Sequence, residues 1–283
     1  MVIVASDKSD PVAMREGVVS VITPCYNAGE FLRDAVDSVR AITDTPHELI
    51  VVDDGSTDAE TLAYLDELRA AGTMVLDQRN SGPASARNTG VRNSSGEFLL
   101  FLDSDNMIKR EFLVEALAAM RSNPEVGVVY ARPVFFGIQE QEPRFEVLPF
   151  SLDRLLVGNF IDMCSVVRRS AWKSVGGLDE DRRLTGREDW EFWIRVARAG
   201  WGFHLVDKEL FHYRVREDSL TTAAQGEHNE QIVDYVSAKH HDIIFTRYKY
   251  YFRLHKTVQE RPLMFLLKLV YSKYIRRSDY PSE

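Results

Sequence analysis

Three acidic pairs carry the chemistry that this sequence could do. The first is Asp103-Ser104-Asp105, which ends the apolar run Phe98, Leu99, Leu100, Phe101 and Leu102. Along an extended backbone, residues i and i+2 point to the same side, so both carboxylates can face one ligand. The first Lys or Arg downstream is Lys109. Burying unpaired acids costs several kcal/mol, so such a pair calls for a cation. Hard oxygen ligands with no His or Cys nearby in sequence select Mg²⁺ or Mn²⁺, held by one or two carboxylates together with substrate phosphates. The plainer alternative is a turn in which one Asp caps the next segment.

The second pair, Asp53-Asp54, opens the segment DDGSTD. Its residue types suit any strand-to-helix turn, but a carboxylate there can also accept a base N–H or a ribose hydroxyl. The third, Glu188-Asp189, falls in a first helical turn, where acids complement the helix dipole. Held on a rigid helix start beside Trp190 and Trp193, it could also supply a general base. Those tryptophans suit a core, although one near the helix start could stack on a sugar ring. Arg87 and Asn88 lie on a helix opened by Gly82-Pro83, and Arg is a natural partner for phosphate or for the acids after the second strand. His212 reads as structural, with phosphate or metal contact as the lesser alternative.

These residues need elements to position them. Segments 18–24, 47–54, 73–78, 96–103 and 126–131 read as strands. They alternate with helices over 29–42, from Asp58 through Leu68, from Gly82 through Val91, and over 110–122. Strands apolar throughout and alternating with amphipathic helices predict a mainly parallel sheet covered on both faces. Ligands then bind beyond the carboxyl ends of the strands, where the acids collect. Further on, 134–150 reads as a loop or strand pair, 151–159 as a short helix, 160–169 as a strand and 186–200 as a helix ended by Gly200.

The chain has 283 residues, 45% hydrophobic and 28% charged, an ordinary globular composition. Its two cysteines, Cys25 and Cys164, fit neither a disulfide framework nor a metal spacing, and a reducing compartment is expected. Residues 1–17 lack a basic start and a long apolar segment, so no leader peptide is expected. The net charge of −8 conceals an asymmetry. Residues 246–277 hold nine Lys or Arg against the single acid Glu260, a net +8, which leaves −16 for the rest. An acidic body argues against nucleic-acid binding.

The order ITPCYN, VVDDGSTD, NSGPASARNTG, FLDSDN and REDW resembles the inverting family 2 glycosyltransferases of GT-A fold, from about Val18 to about Thr222. The resemblance implies an α/β domain with a mainly parallel, Rossmann-like sheet and helices on both faces, followed by a helical C-terminal extension. It divides the chain into an N-terminal extension (1–17), a nucleotide-sugar-binding half (18–132), an acceptor-binding half (133–222) and a basic extension (223–283). Thr23, Pro24, Tyr26 and Asn27 would contact base and ribose; Asp54 would bind the base with Asp53 in support. Gly82, Arg87 and Asn88 would close the nucleotide pocket. Asp105, with Asp103, would hold Mn²⁺ or Mg²⁺ on the donor diphosphate, and Ser104 would lie near the ribose. Asp189 would be the catalytic base beside Glu188, with Gly186 and Trp190 on the acceptor side. The donor is expected to be a nucleoside-diphosphate sugar, with UDP favoured, and the acceptor a glycan or lipid-linked hydroxyl. Processive members carry a Q-x-x-R-W signature and spanning helices. Neither occurs in this sequence, so transfer of one sugar is expected.

Two rival classes stay in view: a nucleotidyl or phosphoryl transfer enzyme, and an inactive sugar-nucleotide-binding protein. The basic, aromatic segment 246–277 suits an anionic membrane surface. It equally suits packing against the acidic body or a second subunit, as in a homo-oligomer. The expected location is cytoplasmic or peripheral on the cytoplasmic membrane face.

Overall fold

A computed structural model describes residues 13–138, 145–216 and 227–271 of the chain. Two compact units are present, Met1–Ile232 and Val233–Glu283. The first holds the acidic motifs.

Its centre is an eight-stranded sheet built from β1 (Arg15–Cys25), β2 (His47–Asp53), β3 (Met74–Asp77), β4 (Gly96–Phe101), β5 (Met107–Ile108), β6 (Val126–Gly137), β7 (Val166–Arg168) and β8 (Gly202–Val215). Their order is β3-β2-β1-β4-β7-β6-β8-β5. The first four are parallel, with Ile22 beside both Ile50 and Phe101. β7 then runs antiparallel to β4 and β6, β8 runs parallel to β6, and β5 is antiparallel to β8. The sheet is therefore parallel where the donor-side motifs lie and mixed beyond them.

Apolar periodicity explains the covering helices. In α1 (Phe31–Arg40), Leu32, Ala35, Val36 and Val39 are buried, one face at helical spacing. α2 (Ala59–Ala70) is capped by Asp58, whose carboxylate accepts the Thr61 N–H at 2.8 Å. α3 (Pro83–Arg92) is buried from Ala84 through Val91, so even its polar residues lie inside. It lies so close to the sheet that a Cβ on Gly90 would meet Ile22 Cγ2 at 2.4 Å. α4 (Glu111–Ser122) packs Phe112, Leu113, Ala116, Leu117 and Met120 into the main core. The short α5 (Leu152–Leu155) and α6 (Arg169–Ser174) precede α7 (Glu188–Arg198).

Most expected segments map well, but the expected helix 151–159 is helical only over Leu152–Leu155, β5 and β8 are not among the expected strands, and three further differences stand out. Residues 15–17 of the expected N-terminal extension belong to β1; residues 1–12 lie outside the described residues. Residues 134–137, expected in a loop or strand pair of their own, prolong β6 beside β8. The expected strand 160–169 is extended only over Val166–Arg168. Asp162 Oδ1 accepts the Cys164 N–H at 2.8 Å, and the Ser165 hydroxyl donates to the Asp162 carbonyl at 2.7 Å, which holds the preceding residues as an ordered loop.

Gly90→Ala is expected to lower stability by about 1–3 kcal/mol, because α3 must move off β1 to admit the methyl group. Urea denaturation measures it; an unchanged or higher midpoint would contradict the close packing.

Candidate active site

The carboxyl ends of β1, β2 and β4 open into a cleft of about 580 Å³, a volume typical of small-molecule sites. β7 brings the second half of the chain to the same place. Because it is antiparallel to β4, the residues that enter it come up beside those that leave β4. Asp162 and Met163 therefore line the cleft with Asp103, Ser104 and Asp105. Gly186, Glu188 and Asp189, at the start of α7, close the far side.

One guanidinium joins the two acidic motifs. Arg87, 4% exposed, lies on α3. It donates to Asp103 Oδ1 at 2.6 Å and to Glu188 Oε1 at 2.5 Å. The planar fork aims Nη2 at one acid and Nη1 at the other in fixed geometry, where a Lys would offer a rotatable point charge. Glu188 is further held by the Gly186 N–H at 2.8 Å. Arg87 thus partners the acid after the fourth strand, and not those after the second. Two side chains also correct the expectation that the D-x-D pair lacks a protein counter-charge. Arg87 supplies one, and Arg216 Nη1 stands 3.4 Å from Asp105 Oδ2. The turn itself is tied to β8, since Arg214 donates its N–H to Asn106 Oδ1 at 2.9 Å and its Nε–H to the Asp105 carbonyl at 3.0 Å. Phe31 and Phe136 flank the Arg214 guanidinium at 4.6 and 4.5 Å.

The acids after β2 have protein partners as well. Asp53 accepts the Ser56 N–H at 2.9 Å and supports the turn. Asp54 lines the cleft and accepts the N–H groups of Ser81 and Gly82 at 2.8 Å and the Gln78 amide at 2.7 Å, so it shapes the rim that starts α3. Pro24, Tyr26 and Asn27 line the cleft with Gly82. Asn27 adopts a φ of +48° and accepts the Thr57 N–H at 2.7 Å. Thr23 is buried with no partner for its hydroxyl.

Two expected site residues face elsewhere. Asn88 spends its amide on the Leu178 main chain, Glu180 and the Trp172 indole, at 2.8–3.2 Å. Trp190 is core, its indole N–H donating to the Leu155 carbonyl at 2.6 Å. His212 sits in the β5–β8 pairing, its ring edge-on to Phe136.

The sequence expectations do not include Asp162, Asn159 or the arginines at the mouth. Asp162 is a lone acid in the apolar run FIDMCSVV, a weaker form of the signal that marks Asp103. Asn159 donates to Asp189 Oδ2 at 2.7 Å, while Asp189 Oδ1 accepts the Trp190 N–H at 2.7 Å. Arg182, Arg214 and Arg216 add positive charge to a cleft rich in acids.

Burial and the neighbouring Glu188 push the Asp189 carboxyl up to about 7, against the opposing pull of the Trp190 N–H, Arg87 and Arg187. Asp105 rises to about 6 through burial and Asp103, with Arg216 opposing. Asp162 rises well above the usual carboxylate range through burial and Asp103. The Cys25 thiol, pushed up to about 12 by burial and Asp53, is no nucleophile.

No group of three or more His, Cys, Asp or Glu among the described residues is placed to cage a metal. The donor set suits a different kind of site. Arg87 already neutralises Asp103, whereas burial works against the charge on Asp105, which faces the same cleft. One such carboxylate fits Mg²⁺ or Mn²⁺ that takes its other ligands from water and a diphosphate.

Comparison with known proteins follows the same lines. A model of the family "Glycosyl transferase family 2" matches residues 20–176. The putative teichuronic acid biosynthesis glycosyltransferase TuaG of Bacillus subtilis is 38% identical over 72% of this chain and 82% of its own length. The chain spans about a third of the length of the first curated relatives it matches, 32% and 34%. Among solved structures, Staphylococcus aureus TarS 1-349 in complex with UDP-GlcNAc superposes with a TM-score of 0.64 at 23% identity, over 78% of this chain and 65% of that one. The mannosyltransferase PcManGT of Pyrobaculum calidifontis, in complex with GDP-Man and Mn²⁺, gives 0.57 at 17% identity, over 94% and 84%. At these identities the likeness is one of fold, that of the GT-A glycosyltransferases.

Arg87→Met strands Asp103 and Glu188 without a counter-charge and is expected to cost about 3–5 kcal/mol of stability. Urea denaturation at neutral pH checks it; a loss below about 1 kcal/mol would mean that the bridge is not formed in solution.

Proposed function

The chain belongs to glycosyl transferase family 2, and on that premise we propose that it moves one sugar, with inversion, from a nucleoside-diphosphate sugar to an acceptor hydroxyl. The observation that carries the reading is the bridge from Asp103 through Arg87 to Glu188, which joins the D-x-D turn to the start of α7 in one cleft. Pro24, Tyr26, Asn27 and Asp54 are assigned to the nucleotide, with Ser104 at the ribose and Gly186 on the acceptor side.

Asp189 is assigned as the base. A carboxyl that titrates at about 7 is half-ionised at working pH, where a base combines proton affinity with availability. It takes the acceptor hydroxyl proton as that oxygen attacks the anomeric carbon. The bond from this carbon to the diphosphate breaks on the opposite face, the nucleoside diphosphate leaves with its electron pair, and configuration inverts. Asp105, with Asp103 behind it, would hold Mn²⁺ or Mg²⁺, which would neutralise charge on the departing diphosphate. Arg87 holds Asp103 and Glu188 in register. A UDP-sugar is the favoured donor, in keeping with the UDP-GlcNAc complex of TarS. Surface polysaccharide synthesis is the favoured setting, since TuaG and the amylovoran biosynthesis glycosyltransferase AmsB of Erwinia amylovora carry such names.

The second unit suggests where the enzyme works. No helix among the described residues is long and apolar enough to cross a membrane. The helix Pro262–Val270, however, leaves Leu263, Leu266, Leu267 and Val270 more than half exposed. On the helix His241–Glu260, exposed Phe245, Tyr248 and Phe252 share a face with Lys249 and Lys256 at helical spacing. Apolar and basic side chains together fit the interface of an anionic bilayer. Residues 272–277 of the expected membrane segment lie outside the described residues.

Nucleoside diphosphate release from UDP-glucose, UDP-N-acetylglucosamine and GDP-mannose with Mn²⁺ tests the reaction. Because Asp189 works ionised, turnover should rise with pH through about 7. Asp189→Asn should lose at least about 100-fold in kcat while still binding donor, and Asp105→Ala should lose metal-dependent donor binding by calorimetry. Normal turnover in Asp189→Asn would remove the base assignment. On membranes, the protein should float with phosphatidylglycerol vesicles but not with phosphatidylcholine ones. Leu266→Glu/Leu267→Glu should abolish flotation, and equal flotation of both proteins would rule the interface out.

A further inference from the structure

Asp189 has both carboxylate oxygens occupied from inside the protein, and the second contact comes from a residue far away in sequence. Oδ1 accepts the Trp190 N–H within the helix start. Oδ2 accepts Asn159 Nδ2 at 2.7 Å. Asn159 belongs to the loop between α5 and β7, and that loop is anchored on either side of it. The Trp190 indole donates to the Leu155 carbonyl at 2.6 Å, and the Trp193 indole to the Ile161 carbonyl at 3.0 Å. Both tryptophans are on α7, the helix that carries Asp189. Asn159 also accepts the Ile161 N–H on its own Oδ1 at 3.2 Å, which settles its amide with the nitrogen toward Asp189.

We infer that Asn159 is the positioning residue for Asp189, fixing the plane of its carboxylate and leaving the remaining lone pair of Oδ2 for the proton of the incoming hydroxyl. The inference rests on Asp189 being the base. Its physical content is simple. An N–H donor to a carboxylate favours the ionised form and stops rotation about the last side-chain torsion. The charged groups around Asp189 pull in both directions: Glu188 and Asp162 resist its ionisation, and Arg87 and Arg187 favour it. None of those four side chains has a hydrogen bond to it, so Asn159 is its one side-chain donor among the described residues. The loop also carries Asp162 into the cleft, so one rigid segment sets both the base and the acid beside it.

Two substitutions separate positioning from mere support. Asn159→Asp is isosteric and keeps the acceptor for the Ile161 N–H, but it replaces the donor to Asp189 with an oxygen. Asn159→Ala removes both contacts. With Mn²⁺ and whichever of UDP-glucose, UDP-N-acetylglucosamine or GDP-mannose the parent hydrolyses, both variants should lower kcat at pH 7 by about tenfold or more. The acidic limb of the pH profile should move up by about one unit in Asn159→Ala, and further in Asn159→Asp. Donor KM should stay within about threefold, since Asn159 hydrogen-bonds Asp189 and Ile161 and none of the residues assigned to the nucleotide. Carboxyl ¹³C NMR of the protein without substrate should show the Asp189 titration moving the same way, independent of turnover. Limbs and titrations that coincide with the parent in both variants, while Asp189→Asn abolishes turnover, would overturn the inference and leave the base standing. Full turnover in Asp189→Asn would be a different result, removing the base and the inference with it.

Discussion

The buried guanidinium of Arg87 is the constraint on which the rest of the cleft depends. Desolvation opposes its charge, and the negative charges of Asp103 and Glu188, followed by their direct hydrogen bonds, more than offset that. A buried ionic triad of this kind contributes little net stability compared with a packed apolar one. What it supplies is geometry. It locks the end of β4, the middle of α3 and the start of α7 to one planar group, although Arg87 and Glu188 are separated by 101 positions in sequence. The position of Arg87 in turn depends on α3 lying against β1, which the missing side chain at Gly90 permits.

The second half of the site follows from one reversal in the sheet. Parallel strands present only their carboxyl ends to a cleft, so each can offer only the residues that follow it. β7 enters the sheet backwards and offers the residues that precede it. The Asn159–Met163 loop can therefore stand between the D-x-D turn and Asp189. Two buried indoles spend their N–H groups on carbonyls at the end of α5 and within that loop. Residues whose type suggests sugar stacking thus act as framework, one layer behind the chemistry.

Local signals in the sequence correspond to the fold. The alternation of apolar strands and amphipathic helices, the D-x-D at the end of β4 and the acids opening α7 each lie within a dozen residues, and each matches the fold. What could not be read was partnership across long separations. The counter-charges of Asp103 and Asp105 come from positions 16 and 111 residues away, so counting nearby basic residues made the turn look unpaired. Strand direction was equally hidden, because an apolar run has no polarity, and with it went Asn159 and the nearness of Asp162. Asn88 and Trp190 have the right chemistry for a ligand, but their polar atoms are consumed by neighbouring main chain. Only the neighbours reveal that.

The reversed strand also bears on how such a cleft can diverge. Both ends of the span from β6 to β7 are fixed in the middle of the sheet, and the Arg87 bridge takes no residue from that span. A loop between fixed ends can lengthen at low cost, roughly 0.6 kcal/mol for each doubling. Descendants of this chain could therefore acquire new walls for new acceptors by insertion there, while the nucleotide end of the cleft keeps its register unchanged.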